Sequence, residues 1–405
     1  MTIKIFRNFS EIATLANAFH KDGRRLNPED LGLIKNGSIV FNHDSILWVG
    51  EDRHLPEEFL EKGHPEIDVT GKVCVPEIVD SHTHLIFGGD RAHEYTMRQN
   101  GASYEDIASA GGGILNSMLG TQNLSRTELL KLAQLRVKNI RAYGVGTIEI
   151  KSGYGLTFEK EYELSRIIHD LKNIVRPEIQ IINTFMAAHA VPKNFSNSYE
   201  YMKDVVLPLL DKLGEEQILD CVDIFHEKNY FSTDDVISLF ERAQRWNIKV
   251  KIHADEFNDN KGAILAAKYG ALSADHLLQT SEDGILALAN SNTVATLLPG
   301  TGFFLGKAQA NARAMLDAGV KVAMASDYNP GSCHCDNLIL LASIAAPQYK
   351  LNLAELWCGI TLNAAHAVGL KNQGAIIAGL KPRFSVFNTD AIDRITYNWG
   401  KNFAN

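Results

Sequence analysis

The chain has 405 residues, of which 45% are hydrophobic and 22% are charged, a composition typical of a folded globular protein rather than a disordered one. Lys and Arg number 40, Asp and Glu number 48, and the formal net charge is −8. That balance argues against nucleic acid and anionic membranes as partners, because both require a basic surface. It still leaves room for a local cationic pocket that binds a small acidic ligand.

The cysteines and the N-terminal segment indicate a cytoplasmic protein. The chain has five scattered cysteines: Cys74, Cys221, Cys333, Cys335 and Cys358. Their odd number makes a disulfide framework unexpected, and a reducing compartment fits them. The segment from Met1 to Phe19 lacks the continuous apolar stretch and the cleavage site of a secretion signal. No window approaches the ~18 to 20 apolar residues that a membrane helix requires.

Both ends of the chain are predicted to form β-structure. Ser38 to Phe41 and Ser45 to Val49 are β-prone runs on either side of a polar turn, which is the signature of a hairpin. From Gly374 onward the chain shows the same β-prone pattern, with glycines between short runs such as Phe384 to Phe387.

Between these ends, short apolar runs alternate with amphipathic helical patterns. The eight predicted strands are Val75–Asp80, Gly146–Ile150, Ile179–Phe185, Cys221–Phe225, Lys249–His253, Leu272–Asp275, Thr293–Leu298 and Lys321–Ala325. Helices are predicted after Ser125 and Ser232, which begin capping boxes, and after Ser281. Eight alternations predict an α/β fold with a closed (β/α)8 barrel of the TIM type, and a doubly wound open sheet is the alternative.

One connection, from Leu85 to Leu124, is much longer than the others and contains three consecutive glycines, Gly111 to Gly113. Long loops in compact domains are often functional or carry helices of their own. A phosphate-binding loop is one interpretation, but the Gly-Lys-Ser/Thr spacing of a Walker A motif is missing. We therefore interpret the glycines as a flexible loop.

Polar side chains follow the C-terminal ends of five predicted strands. They are His82 and His84 after the first strand, His189 after the third, His253 after the fifth, His276 after the sixth and Asp327 after the eighth. Residues two apart on a strand face the same side, so His82 and His84 can reach one point. Each residue alone could be an ordinary core side chain. Together they line the rim at which barrel enzymes build their active sites.

Three imidazoles and a carboxylate at one rim predict a metal site. Zinc binds histidine nitrogen and carboxylate oxygen and keeps one position for water in catalytic sites. Iron accepts similar ligands, so the residues predict one divalent or trivalent ion, zinc or iron, per subunit. Such an ion lowers the pKa of bound water from about 15.7 toward 7, which supplies hydroxide at neutral pH.

The pattern His82-x-His84 with His253, His276 and Asp327 resembles the amidohydrolase superfamily, in the branch that holds a single metal. The resemblance implies that the metal ligands are His82, His84, His253 and Asp327. It also implies that His276 assists the water or polarises the scissile carbonyl.

The same resemblance has consequences for metal number and for domains. Members with two metals use a carboxylated lysine late in the fourth strand, and here Lys228 lies just beyond that strand, which favours one metal. Superfamily members also carry a small β-sandwich built from both termini. This implies a composite sandwich of residues 1–75 plus 370–405 beside a barrel of residues 76–369.

Longer segments narrow the resemblance to one branch. They are Lys151–Leu156, His253–Glu256, Thr296–Pro299 and Ser326–Ser332, with Arg91 seven residues after His84 (91 − 84 = 7). That branch opens the ring of 4-imidazolone-5-propanoate with water to give N-formimidoyl-L-glutamate. Glu77 departs from it where many relatives have glycine. Cys333-His334-Cys335 departs too, and we interpret it as structural because no further Cys/His pair follows at zinc spacing.

The chemistry of the implied substrate suits a set of candidate substrate-binding residues: Arg91, Tyr154, His189, Glu256, Asn329, Gly331 and Ser332. Arg91 offers a bidentate guanidinium for the propionate. Glu256 is placed to bond a ring nitrogen and to move a proton. Catalysis would then involve His276, Asp327 and Glu256, with Asp327 or His276 taking the proton of the water.

Two other functions fit parts of the pattern. A cyclic deaminase that acts on a nucleobase shares His253-x-x-Glu256. A catalytically inactive barrel retained for binding would have lost ligands, whereas this chain keeps all of those proposed. We expect a small-molecule substrate, no nucleic-acid or membrane partner and, from the family, a homodimer.

Overall fold

A computed structural model describes residues 2–60, 63–102, 106–107 and 111–404. Its strands are β1 (Lys4–Ala13), β2 (Leu33–Phe41), β3 (Ile46–Glu51), β4 (Glu66–Asp68), β5 (Val73–Pro76), β6 (Ile78–Asp80), β7 (Val145–Lys151), β8 (Gln180–Ala188), β9 (Cys221–His226), β10 (Lys249–Val250), β11 (Ile252–Ala254), β12 (Ser273–His276), β13 (Val294–Leu297), β14 (Val322–Met324) and β15 (Phe384–Phe387).

The helices follow the strands in alternation over most of the chain. They are α1 (Ala16–His20), α2 (Glu57–Leu60), α3 (Ala92–Gln99), α4 (Ile114–Gln122), α5 (Arg126–Arg141), α6 (Phe158–Ile174), α7 (Ser198–Tyr201), α8 (Leu207–Glu215), α9 (Thr233–Arg245), α10 (Gly262–Tyr269), α11 (Glu282–Ala289), α12 (Pro299–Leu305), α13 (Ala312–Ala318), α14 (Leu338–Tyr349), α15 (Leu353–Ile360), α16 (Leu362–Ala367) and α17 (Asp393–Tyr397). Short 3₁₀ turns span Pro28–Leu31 and Asp52–His54, and a π-helical turn spans Met202–Val206.

A parallel barrel forms the centre of the molecule. Its strands follow one another in chain order, β6-β7-β8-β9-β11-β12-β13-β14, and β10 pairs with β9 just before β11. The first and last strands meet beyond their C-terminal ends, where the Asp327 amide donates to the His82 carbonyl at 3.0 Å and Thr83 bridges to Tyr328. The predicted barrel is confirmed. The open sheet is wrong, because the order shows none of the reversal of a doubly wound sheet.

Local sequence explains why the strands and helices pack as they do. The helix α5 begins at Ser125, whose capping box is present, and buries Leu129, Ala133, Val137 and Ile140 on one face. In β7 the residues alternate, with Ile148 and Ile150 in the hydrophobic core and polar side chains between them. Parallel strands of a barrel are covered on both faces, so these runs are buried almost throughout.

Both termini contribute to a second, six-stranded sheet. Its order is β15-β5-β1-β2-β3, with β4 pairing β1, and the C-terminal strand β15 runs antiparallel to β5. A bulge at Asn8, where φ is 65°, interrupts the pairing of β1 with β2. Phe9, Ile12 and Ile39 form part of a small core within this sheet.

The predicted strand Val75–Asp80 proves to be two strands that belong to different sheets. The break falls at Glu77, whose amide donates to the Arg383 carbonyl at 3.2 Å. Its carboxylate accepts from Thr147 Oγ1 at 2.6 Å and pairs with the Arg383 guanidinium at 2.6 Å. These contacts tie the C-terminal segment to the entrance of the barrel, so the departure noted at Glu77 concerns how the two sheets are joined.

The described part of the long connection between β6 and α5 includes the helices α3 and α4. Residues 103–105 and 108–110 of this connection lie outside the described residues. Gly113, with φ of 83°, directly precedes α4. Among the described helices, none combines the length and the apolar character needed to cross a membrane.

Candidate metal centre and active site

The C-terminal ends of the barrel strands surround a cavity of about 130 Å³. Its lining residues are His84, Arg91, Ile114, Tyr154, His189, Phe225, His253, Glu256, His276, Asp327, Asn329 and Ser332. Two of the predicted site residues lie just behind this surface. His82 is fully buried, and Gly331 lies beneath the guanidinium of Arg91. The residues predicted at five separate strand ends therefore lie together at one rim of the barrel.

Four of the predicted donor atoms converge. The Nε2 atoms of His82 and His84 lie 3.5 and 3.7 Å from Asp327 Oδ1. The Nε2 atoms of His84 and His253 are 3.4 Å apart. Ligand atoms at about 2.0–2.2 Å from a tetrahedral zinc lie roughly 3.3–3.6 Å from one another, so the spacing fits one ion.

The hydrogen bonding of His82 adds a second argument for a metal. Its Nδ1 donates to Asp275 Oδ2 at 2.6 Å, while its buried Nε2 has no hydrogen-bond partner among the described residues. A buried nitrogen without a partner is costly unless something else binds it. A metal ion bound to this nitrogen removes that cost. The donor atoms therefore fit the metal ion that the resemblance implies.

His276 lies close enough to enter the same cluster. One donor atom each from His82, His253 and His276 fall within 4.8 Å of one another, as do those from His82, His84 and Asp327. The His276 Nε2 is also 3.6 Å from Glu256 Oε2. Distance alone thus admits His276 either as a ligand or as a neighbour of a metal ion.

Burial keeps these imidazoles in the neutral form, which is the form that binds metal ions. It lowers the pKa of His82, His84 and His276 well below the usual value, and neighbouring histidines and Lys151 act in the same direction. The rings are therefore neutral at pH 7 and have a lone pair available.

Two aspartates that sequence reasoning missed hold two of the histidines predicted as ligands. Asp275 accepts from His82 Nδ1, and Asp223 accepts from His253 Nδ1 at 3.1 Å. Carboxylates behind metal-ligating histidines fix the tautomer and the ring orientation. The available signal was an acidic residue within each of two apolar strands, β9 and β12.

Arg91 lies at the edge of the cavity in a defined position. Its Nε donates to Glu94 Oε2 at 2.7 Å. A Cβ atom at Gly331 would be only 1.8 Å from Arg91 Nη1, so the guanidinium lies directly against that glycine. Gly331 therefore provides room for the arginine.

The loop after β14 is organised by Asn329. Its Oδ1 accepts from the amides of Gly331 and Ser332, both at 2.7 Å, and its Nδ2 donates to the Asp327 carbonyl at 2.6 Å. The backbone amides of Gly331 and Ser332 are thus used within the loop. The Ser332 side chain still lines the cavity.

Tyr154 and His189 form the wall beside His84. The His189 ring stacks on His84 with centroids 4.8 Å apart, and its Nδ1 donates to the Gly153 carbonyl at 3.0 Å. Burial raises the pKa of Tyr154, so its hydroxyl remains protonated and able to donate. Burial lowers the pKa of His189 to about 4, so this imidazole is neutral.

Glu256 is the acidic residue of the cavity whose protonation is most altered. Burial raises the pKa of Glu256 to about 8, the nearby Asp327 contributes, and Lys307 opposes the change. A carboxyl group with this pKa is mostly protonated at neutral pH and can donate a hydrogen bond. Burial likewise raises the pKa of Asp327 to about 6, against the hydroxyl of Thr301.

Comparison with known proteins identifies the family and the fold. The model of the amidohydrolase family matches residues 73–403, and the chain belongs to this metal-dependent family. Solved structures share the fold: an atrazine chlorohydrolase from Arthrobacter aurescens has a TM-score of 0.74 at 14% identity, covering 99% of this chain and 92% of the other. An adenosine deaminase from Xanthomonas campestris has a TM-score of 0.69 at 13% identity, covering 99% and 90%.

Sequence relatives narrow the family. An imidazolonepropionase from Bdellovibrio bacteriovorus is 38% identical over 91% of this chain and 86% of its own length. One from Geobacillus kaustophilus is 37% identical over 98% of this chain and 94% of its own. Within the amidohydrolases, the chain belongs with the imidazolonepropionases.

Proposed function

We propose that the protein hydrolyses 4-imidazolone-5-propanoate to N-formimidoyl-L-glutamate, a ring-opening step of histidine degradation. It is a hydrolase that acts on a carbon–nitrogen bond of a cyclic amide. The observation that carries the proposal is the convergence of four metal donors beside Arg91 in one small cavity. Imidazolonepropionases aligned over nearly the whole chain support it.

His82, His84, His253 and Asp327 are the proposed ligands of one zinc or iron ion. When bound, such an ion supplies a water nucleophile at neutral pH and polarises a carbonyl oxygen. The neutral imidazoles and the aspartate suit either metal, so the residue set does not select one. His276 is the proposed neighbour that bonds the carbonyl oxygen as negative charge develops on it.

The remaining side chains move the protons. Asp327 or His276 accepts a proton from the water, whose oxygen forms a bond to the ring carbonyl carbon. The ring carbon–nitrogen bond breaks, and Glu256 delivers a proton to the leaving nitrogen. The oxygen added from water becomes part of the new carboxyl group, whose proton is taken up by the basic formimidoyl group of the product. The proton taken from water by Asp327 or His276 replaces the one that Glu256 gave, so atoms and charge balance.

Substrate binding is assigned to the remaining predicted residues. Arg91 binds the propionate carboxylate as a bidentate donor, oriented by its contact with Glu94. The hydroxyl of Tyr154 and the ring of His189 bond the substrate from the side of His84. Asn329, Gly331 and Ser332 shape the loop on which Arg91 rests.

We propose the same organisation for the whole chain as the sequence suggested. Residues 1–75 plus 370–405 would form one composite domain and residues 76–369 the barrel domain. A homodimer and a location in the cytoplasm are further proposals. Light scattering after gel filtration tests for the homodimer, and fractionation of the source cells tests for the cytoplasmic location.

The decisive experiment follows the ultraviolet absorbance of imidazolone propionate with the purified protein, before and after removal of metal by a chelator. We expect consumption that stops with the chelator and returns with zinc or iron. A panel of nucleobases tested for ammonia release serves as the control. Ammonia release without ring opening of the imidazolone would refute the proposal in favour of a deaminase.

A further inference from the structure

Beneath the cavity, the interior of the barrel contains a cluster of charged side chains where barrels usually carry branched apolar residues. The cluster consists of Glu149, Lys151, Asp223, Lys251 and Asp275, each between 0 and 1% exposed. Its members come from β7, β9, β12 and the junction of β10 and β11. We call these five residues the buried charge cluster.

The two lysines bind all three carboxylates. Lys151 Nζ donates to Glu149 Oε1 at 2.8 Å and to Asp223 Oδ2 at 2.6 Å. Lys251 Nζ lies 3.2 Å from the same Glu149 oxygen and 3.5 Å from Asp275 Oδ2. Glu149 thus bridges the lysines, and the cluster is continuous.

The two aspartates connect this cluster to the proposed metal centre. Asp223 uses one oxygen for Lys151 and the other for His253 Nδ1. Asp275 Oδ2 accepts from His82 Nδ1 and faces both lysines, at 3.5 Å from Lys251 and 3.9 Å from Lys151. His82 follows the first barrel strand and His253 lies in the fifth, yet each is hydrogen-bonded to an aspartate of the buried charge cluster.

A purely structural role explains this arrangement poorly. Burying ions carries a large desolvation cost, and well-packed apolar residues often give equal or greater stability. Every polar contact of Asp223 toward a neighbouring side chain is directed at a lysine of the cluster or at a proposed ligand. The charges are arranged around the histidines rather than around the packing of the strands.

We propose that Lys151 and Lys251 are positioning residues of the metal centre, which hold Asp223 and Asp275 so that His253 and His82 present Nε2 to a metal ion. The inference rests on the proposed function, because it requires those histidines to be ligands. Without the ammonium of Lys151, Asp223 Oδ2 loses its donor. Among the described residues, only the Ile224 amide, which donates to Oδ1 at 2.7 Å, then holds the carboxylate beside His253, so its orientation is less fixed. Removing a partner behind a metal ligand weakens metal affinity by about 10–100-fold.

The test uses the full chain with Lys151→Met, which keeps the length of the side chain and removes its charge. Zinc affinity is measured by competition with a coloured chelator, and the absorption spectrum of the cobalt-loaded protein reports ligand geometry. We expect zinc affinity at least ~10-fold weaker and an altered cobalt spectrum.

Lys321→Met is the matched control. Lys321 is also a buried barrel lysine in an ion pair, at 2.7 Å from Asp22, but it precedes β14 at the opposite end of the barrel. We expect this variant to lose stability and to keep the zinc affinity of the parent within about 2-fold. A merely structural role for Lys151 predicts that both variants behave alike.

Asp223→Asn provides a second variant that preserves shape, should Lys151→Met fail to fold. It too should weaken zinc binding, and the double variant should be no weaker than the poorer single variant, because both changes act through His253. Unchanged zinc affinity in folded Lys151→Met or in Asp223→Asn overturns the inference. A parent protein that binds no metal overturns the proposed function instead, so the two failures are distinguishable.

Discussion

At the scale of single residues, the chemistry depends on which nitrogen each imidazole presents. Asp275 and Asp223 occupy the Nδ1 atoms of His82 and His253, which leaves Nε2 for the cavity. His276 has no such carboxylate on its Nδ1, which is buried without a hydrogen-bond partner among the described residues. The Nδ1 of the proposed ligand His84 is likewise buried without a partner among the described residues, so this bonding does not distinguish a ligand from a neighbour. We assign His276 to the carbonyl oxygen on the family resemblance.

His276→Asn tests that assignment. We expect metal content near that of the parent and a turnover number reduced by about 10²–10³-fold, because one donor to the developing oxyanion is lost. Metal analysis and the ultraviolet assay measure the two effects separately. Loss of the metal would show that His276 is a ligand, and undiminished turnover would show that it has no catalytic role.

Glu256 predicts a dependence of stability on pH in the metal-free protein. Its folded-state pKa of about 8 lies above the ordinary value of 4.5. The folded state therefore holds the proton longer than the unfolded state does. The resulting destabilisation is absent below about pH 4.5, grows as the pH rises and is complete above about 8.

Glu256→Gln removes this destabilisation. The melting temperature of the chelated variant should exceed that of the parent, and by more at pH 8.5 than at pH 5.5. Turnover should be lost at the same time, since the amide cannot deliver a proton. Calorimetry at the two pH values measures the first effect, and an equal difference at both would contradict the burial argument.

At the scale of elements, loops after the strands hold the reactive groups in place. The loop after β11 carries Glu256, and Glu227 at the end of the neighbouring strand β9 binds it. The Glu227 carboxylate accepts from the amides of Phe257 and Asn258 at 2.8 and 3.2 Å. Asp255, with φ of 52°, accepts from the amides of Gly262 and Ala263 at the start of α10.

Glu227→Gln should therefore loosen the position of Glu256 without touching the metal. We expect a decrease in kcat of roughly 10-fold, because small misplacements of catalytic groups are costly, with zinc affinity unchanged. The comparison of kcat with chelator competition measures this separation. A parallel fall in metal affinity would mean that Glu227 acts on the whole rim.

The loop after β14 makes room for Arg91, which gives a prediction of a different kind. Gly331→Ala places a methyl group where the guanidinium lies, so the arginine must move away. We expect KM for imidazolone propionate to rise about 10-fold or more with a smaller change in kcat. Arg91→Lys serves as the comparison, and an unchanged KM in Gly331→Ala would exclude Arg91 as the carboxylate ligand.

At the scale of the whole molecule, the terminal sheet and the barrel meet at Glu77. The ion pair with Arg383 and the bond from Thr147 join the C-terminal segment, the start of β6 and β7. The Arg383 guanidinium also donates to the Gly146 carbonyl at 3.0 Å. Residues from the N-terminal region such as Leu15 and Ala18 belong to the same hydrophobic core as the barrel.

Glu77→Ala should lower the free energy of unfolding by about 1–3 kcal/mol, because the buried Thr147 hydroxyl loses its acceptor and Arg383 loses its ion pair and keeps only the Gly146 carbonyl. Turnover per folded molecule should be unchanged, since the site lies at the other end of the strands. Urea unfolding and the ultraviolet assay measure the two quantities. Reduced turnover in the folded variant would show that the junction influences the site.

Particular residues show how far the sequence alone could predict this structure. Local patterns predict the barrel and the capping boxes at Ser125 and Ser232. The rule that barrel sites lie at strand ends predicts the rim residues. The break at Glu77 does not, because it depends on Arg383 from the far end of the chain. The bonds that tie up the Gly331 and Ser332 amides depend on the fold of their loop.

Sequence by itself determined the chemical class of this protein: a −8 chain whose strand ends carry four histidines and an aspartate of the amidohydrolase pattern. Local periodicity and residue chemistry suffice for that, since five of the eight predicted strands each end in a candidate functional side chain. Only the tertiary structure decided what stands behind those residues. Asp275 on the sixth barrel strand meets His82 beyond the first, and Lys151 and Lys251 both lie beside Asp275. Closure of the barrel brings these distant strands within hydrogen-bonding distance.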